Sequence, residues 1–262
     1  MDLSHNHAVA VAVSGVVGLA VGSFVGVVVD RVPAARSIVR PGSHCTCCGT
    51  PLRTIDNIPL VSFIWLRGRC HSCAARIPAR DFVVELATAV VFAAIAWRIP
   101  RLWALPAYLV LGAALVALAA IDVEHKRLPT PIVYTAAVLG TALLVLASLA
   151  TDNWQALLAG AIGAAACFAA FFAVFFASPK AMGYGDVRLA ALCGGFLGWL
   201  GGSVVLVGMV ASFLLAGIPA LVMLTAGRVN RKTQVPFGPF LAGGTILAVL
   251  LGPSIARAWF RF

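Results

Sequence analysis

The chain has 262 residues, 61% of them hydrophobic and 11% charged, with a mean hydropathy of +1.00. A soluble domain carries about a quarter charged residues, so the composition excludes a soluble globular protein and points to an all-α, polytopic membrane protein. The net charge of +10 would suggest nucleic acid for a soluble chain; here it reflects loops held on the cytoplasmic side, and no nucleic-acid partner is expected.

A span needs about 20 apolar residues. Eight transmembrane helices are predicted, at 8–29, 82–97, 103–121, 132–150, 156–177, 189–200, 203–226 and 240–256. The signal is helical hydropathy throughout, without strand alternation. No cleavable signal peptide is expected at the first run, where Asp2 stands in place of basic residues. The second and sixth runs are short for a bilayer. Gly194, Gly195 and Gly198 in the sixth permit close helix packing.

Between the first two runs lies the largest polar stretch, residues 30–81. It carries Cys45-Thr46-Cys47-Cys48 and, 21 residues on, Cys70-His71-Ser72-Cys73. Two C-x-x-C knuckles at this separation form a zinc-ribbon-like pattern. In it, Cys45, Cys48, Cys70 and Cys73 can close a tetrahedron around a structural Zn²⁺. The competing assignment is disulfides or free thiols, and a reducing cytoplasm disfavours disulfides. Cys47 is a surplus thiol that could replace a ligand, with His44 and His71 as adjacent alternatives. Cys167 and Cys193 fall inside runs and read as packing residues. The apolar residues between the knuckles could pack a small domain or touch the membrane surface. Glu85, just inside the second run, could snorkel or pair with an arginine.

Two further carboxylates stand where apolar runs meet polar loops. Asp122 follows the third run in Ile121-Asp122-Val123-Glu124-His125-Lys126-Arg127. Asp186 lies in Met182-Gly183-Tyr184-Gly185-Asp186-Val187-Arg188, a short polar stretch whose glycines leave the backbone free. Ionisable groups at membrane depth are costly, so their default reading is functional. With eight spans, the loops 30–81, 122–131, 178–188 and 227–239 share one side and hold 15 of the 19 Lys and Arg residues. The positive-inside rule assigns that side to the cytoplasm and both termini to the other. Asp122 and Asp186 then lie at one face, because the fourth and fifth runs between them form a there-and-back pair joined at Thr151-Asp152-Asn153. If the two approach, one proton is shared, leaving a carboxylate to act as base and a carboxylic acid to act as donor. Such a pair can direct water onto a peptide carbonyl without a covalent intermediate. His125 is expected to cap a helix end or face solvent. Arg188 could bias which carboxylate ionises, or anchor phospholipid.

The chain resembles the type IV prepilin peptidases, the bifunctional leader peptidase and N-methyltransferase family of aspartic intramembrane proteases. The matching stretches are Gly22-Ser23-Phe24, Arg31-Val32-Pro33, the four cysteines, Asp56-Asn57-Ile58-Pro59, Leu66-Arg67-Gly68-Arg69-Cys70, Ile121-Asp122, 182–189 and Pro236-Phe237-Gly238-Pro239-Phe240. They run in family order over most of the chain. The resemblance implies that Asp122 and Asp186 are the catalytic pair. It also implies cleavage of the basic leader of a prepilin or pseudopilin after a glycine, at the cytoplasmic face of the inner membrane, with membrane lipid as surroundings. It implies S-adenosylmethionine-dependent methylation of the new amino terminus, at a cofactor site the sequence does not mark. Residues 1–100 then form the methyltransferase-associated part with its cytoplasmic cysteine loop, and residues 101–262 the peptidase domain.

The sequence departs from the family at three places. Gly26 replaces an Asn, Ala89 replaces a Gly four residues after Glu85, and Arg188 replaces a Lys with charge kept. The first two leave the peptidase intact and make methylation the weaker activity. The alternatives are a peptidase without methyl transfer, a scaffold in pilus or secretion assembly, or a proton-coupled transporter. The last would place acids at several depths, whereas Asp122 and Asp186 share one face.

Overall fold

The computed structural model describes residues 3–45, 47–53, 55, 60–99, 103–179, 182–225 and 236–259. The Asp56-Asn57-Ile58-Pro59 motif, Thr46 of the first knuckle and most of the 227–239 loop lie outside them. The described residues form helices α1 (Leu3–Arg31), α2 (Val61–Trp65), α3 (Ala79–Arg98), α4 (Leu105–His125), α5 (Thr130–Thr151), α6 (Trp154–Ala177), α7 (Tyr184–Leu200), α8 (Gly202–Thr225) and α9 (Gly238–Trp259). No strand occurs among them, only two isolated bridges. Each of the eight predicted runs is a long helix, and the fold is all-α. By length and composition six of these helices can cross a membrane: α1, α4, α5, α6, α8 and α9. The remaining two explain themselves. α3 carries Arg80, Asp81, Glu85 and Arg98, and α7 has 17 residues, about 25 Å of rise.

The chain divides into two compact units, Met1–Pro100 and Arg101–Phe262. In the first, α1 lies against α3 through Gly18 and Gly22. A Cβ at Gly18 would stand 2.7 Å from the Ala89 Cα, and one at Gly22 2.8 Å from the Glu85 Cα. Backbones can touch there only because the side chains are missing. Ala89 itself carries a side chain, and the room for the approach comes from Gly18 on α1. Arg31 closes α1 and is buried, its guanidinium donating to the Ser37 and Gly42 carbonyls as the chain leaves the helix.

In the second unit α7 is the central helix. Residues on all its sides are buried, among them Val187, Leu189, Ala190, Cys193, Leu197 and Trp199. A helix sheltered by protein need not match the bilayer thickness, which accounts for its brevity. α6 approaches it backbone to backbone: a Cβ on Gly194 would stand 2.5 Å from the Gly163 carbonyl oxygen and 2.6 Å from the Cys167 Sγ. The glycines of the sixth run thus do what their spacing predicts, and Cys167 and Cys193 are buried packing residues. Polar side chains fasten the neighbours. The Tyr108 hydroxyl of α4 donates to the Phe196 carbonyl at 2.7 Å, and the Trp199 indole donates to the Ser148 hydroxyl of α5 at 3.0 Å. α5 turns directly into α6: Asp152 takes a left-handed φ of 49°, and the Asn153 side chain caps α6 by accepting the Ala156 amide. That tight reversal returns the chain to the end from which α5 began.

Candidate active site

Three helix ends meet around Asp122. α4 stops at Lys126, whose left-handed backbone (φ 51°) turns its N–H onto the Asp122 carbonyl at 2.9 Å. Asp122 is one turn inside that end and only 5% exposed. α9 begins opposite it, and the Gly238 N–H donates to Asp122 Oδ2 at 2.9 Å. A Cβ at Gly238 would stand 2.7 Å from the same oxygen, so only glycine lets the backbone come this close. The segment is anchored by Phe237, whose ring packs on Phe171 and Phe213 at 6.0 and 5.5 Å.

Asp186 enters from the start of α7. The sequence reads Gly183-Tyr184-Gly185-Asp186 as a polar loop of free backbone; in the structure Tyr184 already begins the helix and Gly183 is its N-cap. Asp186, in the first turn, reaches back so that Oδ2 accepts the Gly183 N–H at 3.2 Å, the second half of a capping box. Gly185 matters for space and not for a positive φ. A Cβ there would stand 2.9 Å from the Leu128 Cβ, and Leu128 also lies 3.1 Å from where a Gly238 Cβ would be. One leucine therefore wedges against both glycine-opened helices. Asp122, Gly238, Leu128 and Gly185, the neighbour of Asp186, thus fall in one cluster. Among the described residues, Asp186 Oδ1 is buried with no hydrogen-bond partner. A buried acceptor in this state calls for a proton, a water or a ligand.

The amino-terminal unit brings its four cysteines together. The sulfurs of Cys45, Cys48, Cys70 and Cys73 all lie within 4.8 Å of one another. The two knuckles share one backbone plan. Cys45 N–H donates to the Thr50 carbonyl and Gly49 N–H back to Cys45; Cys70 N–H donates to Ala75 and Ala74 N–H back to Cys70. His44 bridges to Pro51 and Arg69 to Arg76. The plan needs a left-handed residue after the second cysteine, which is Gly49 (φ 71°) in one knuckle and Ala74 (φ 57°) in the other. Thr50 also holds the Cys48 thiol down to about 6, through its hydroxyl and its backbone. Such a donor set fits a tetrahedral metal ion. Cys47 is exposed and outside the cluster, as are the two histidines.

Residues 16–99 match the bacterial peptidase A24 N-terminal domain, and residues 109–224 match the type IV leader peptidase family. A Pseudomonas aeruginosa prepilin leader peptidase/N-methyltransferase is 33% identical over 94% of this chain and 91% of its own. The protein of the same name from Stutzerimonas stutzeri is 32% identical over 94% and 92%. That from Myxococcus xanthus is 38% identical over 84% of this chain and 65% of its own. No solved structure matches the chain.

The chain belongs to the type IV leader peptidase family.

As a leader peptidase of this family it is a multi-pass membrane protein. Asp122 and Asp186 are brought together, and the four cysteines are too. Sequence reasoning missed three contacts around them. Gly238 is marked in the sequence only as part of the 236–240 stretch, and Leu128 carries no signal at all. Glu85 has a partner the sequence does not suggest: its carboxylate accepts the Leu60 N–H at 2.8 Å, pinning the cysteine loop to α3. Of the two expectations for the apolar residues between the knuckles, the structure bears on packing. Phe63 packs on Phe82 with ring centroids 5.0 Å apart, while Trp65 is 85% exposed. Arg188 turns to the Thr130 hydroxyl on α5 and lies over the Tyr184 ring.

Proposed function

We propose that this leader peptidase cleaves prepilins or pseudopilins with Asp122 and Asp186 sharing the acid–base work. The observation that supports the reading is that the end of α4 carrying Asp122 and the start of α7 carrying Asp186 both close on Leu128. Each carboxylate has one oxygen gripped by a glycine N–H, and Asp186 keeps the other buried and unpaired among the described residues. Two carboxylates at short range share one proton. The ionised member takes a proton from water, and the resulting hydroxide adds to the peptide carbonyl carbon. The protonated member gives its proton to the carbonyl oxygen; the intermediate collapses as the departing amine is protonated.

The basic loops bias the site to the cytoplasmic face of the inner membrane. Residues 1–100 serve the methyl transfer and residues 101–262 the cleavage. Cys45, Cys48, Cys70 and Cys73 hold Zn²⁺, which supplies structure: a closed four-thiolate site leaves no open position for water. Methyl transfer uses S-adenosylmethionine. The amino-terminal unit has a cleft of about 410 Å³ bordered by Ser23, Phe24, Arg31, Gly42 and Ser43, a volume in the range of small-molecule sites.

The test is processing of a prepilin by the purified protein. Asp122→Asn and Asp186→Asn should each lower turnover by about 10²–10⁴-fold with helical content unchanged. Asp152→Asn, at the α5–α6 turn, should be silent. Near wild-type cleavage by either single mutant removes the dyad.

A further inference from the structure

A second polar feature of α7 faces away from the dyad chemistry. α5 splays from α6 and α7, leaving a groove of about 400 Å³. Its lining runs from Val133 to Leu144 on α5, from Leu157 to Phe168 on α6, and from Tyr184 to Trp199 on α7. The α5 and α6 stretches are each eleven residue steps, about 16 Å of helix rise. That is half of a hydrocarbon core of about 30 Å. The groove is therefore one leaflet deep. Its walls are apolar except for Thr141 and the Arg188 end, and its flank is open: Tyr134 is 57% exposed and Tyr184 43%.

The polar end is Arg188. One terminal nitrogen donates to the hydroxyl of Thr130, the first residue of α5, so the guanidinium stands at the level where that helix starts. Its carbon lies 5.0 Å over the Tyr184 ring. Among the described residues, Nε is buried and has no acceptor. A guanidinium presents its donors as a planar fork, and the fork is filled best by a phosphate or carboxylate taken bidentately. The positive-inside reading puts this end of α7 on the side richest in Lys and Arg, so the fork would cap a slot the length of one acyl chain.

We infer that this groove binds an anionic membrane lipid, with the phosphate on Arg188 and an acyl chain lying along α5, α6 and α7 toward Trp199. A substrate helix is the poorer occupant, since a helix is about 10 Å across and would run the full bilayer thickness. The inference does not depend on the peptidase reading, because no dyad atom takes part.

The test is native mass spectrometry of the purified full chain with added phosphatidylglycerol or phosphatidylcholine of the same acyl chains. The wild type should hold phosphatidylglycerol about tenfold more tightly, as expected for a charge-assisted fork. Arg188→Gln should remove most of that preference and leave phosphatidylcholine little changed. Ala161→Phe, which fills the groove from an exposed position of α6, should weaken both lipids while helical content is kept. An unchanged preference in Arg188→Gln, or wild-type binding of both lipids in Ala161→Phe, overturns the assignment. So does a photo-crosslinker at Ala161 that labels added prepilin but not phosphatidylglycerol.

Discussion

In Arg101–Phe262 the carboxylates of the proposed site sit at helix ends and are held by backbone; in Met1–Pro100 the thiols sit in a loop and are held by one another. Asp122 and Asp186 each receive a glycine N–H, and those glycines are placed by helices whose packing is settled elsewhere, along α6–α7 and at Phe237. The cysteines have no such frame. Their knuckles hang between α1 and α3 on a few turns, on Arg31 and on the Glu85–Leu60 hydrogen bond. Order in one unit precedes the site. In the other, the site makes much of the order.

The sharpest way to break that contrast is to take the metal away. Structural four-thiolate sites are worth about 10–16 kcal/mol in small zinc domains. A chelator under reducing conditions, or Cys70→Ser, should expose residues 36–78 to protease at least about tenfold faster and leave Arg101–Phe262 resistant. Absence of stoichiometric zinc in the reduced wild type sinks the idea at once. Cys47→Ser should retain the metal, since its thiol is outside the cluster.

How much of this could be read from the chain alone differs between the units for the same physical reason. Long apolar runs and paired C-x-x-C spacings are one-dimensional signals, and they located the eight long helices and the cluster residues. Close approach is not such a signal. Nothing in the composition of 236–240 says that Gly238 comes to Asp122, because the contact spans 116 positions and depends on a missing Cβ. Leu128 is a plain leucine until two glycines are laid on it. Ala89 shows the converse: a local departure looked disruptive, but the space was available on the opposite helix at Gly18. The start of α7 was misread because glycines suggest a loop, whereas Asp186 repays the cap with its own side chain.

Gly238→Ala tests the backbone-held half of the comparison. The added methyl would collide with Asp122 Oδ2, so the Gly238 N–H must withdraw from the carboxylate. A hydrogen bond to a charged group is worth about 1.5–3 kcal/mol, so cleavage should fall roughly ten- to a hundredfold while zinc content stays the same. Unaltered turnover would mean that Asp122 is positioned by something other than α9.

Within the thiol-held half, the two knuckles differ at one position. Gly49 is free to be left-handed, but Ala74 has to adopt φ 57° with a side chain. That conformation costs an L-residue about 1–2 kcal/mol, partly offset by the greater chain entropy a glycine loses. Ala74→Gly should therefore slow zinc loss to a competing chromophoric chelator by a few-fold, on the order of 1 kcal/mol. Gly49→Ala should speed it. Equal and opposite behaviour would make the knuckles energetically as well as geometrically alike; no change in either would show that the metal, and not the turn, sets the rate.

The smallest expected effect concerns Gly26, where the family resemblance implies an asparagine. A Cβ built at Gly26 meets nothing within 4 Å, so the position is open, and Gly26→Asn should neither strain α1 nor disturb its contact with α3. Glycine offers no side-chain hydrogen bond, whereas an asparagine offers two donors and an acceptor. If methyl transfer is limited by that missing group, Gly26→Asn should raise the methylated fraction of processed pilin and leave the cleavage rate untouched. The masses of the pilin amino termini, with S-adenosylmethionine in excess, read both activities in one sample. Complete methylation by the wild type, at a rate matching cleavage, would show that Gly26 limits nothing. A change in cleavage on Gly26→Asn would tie the dyad to α1, which the separation of labour between the units does not allow.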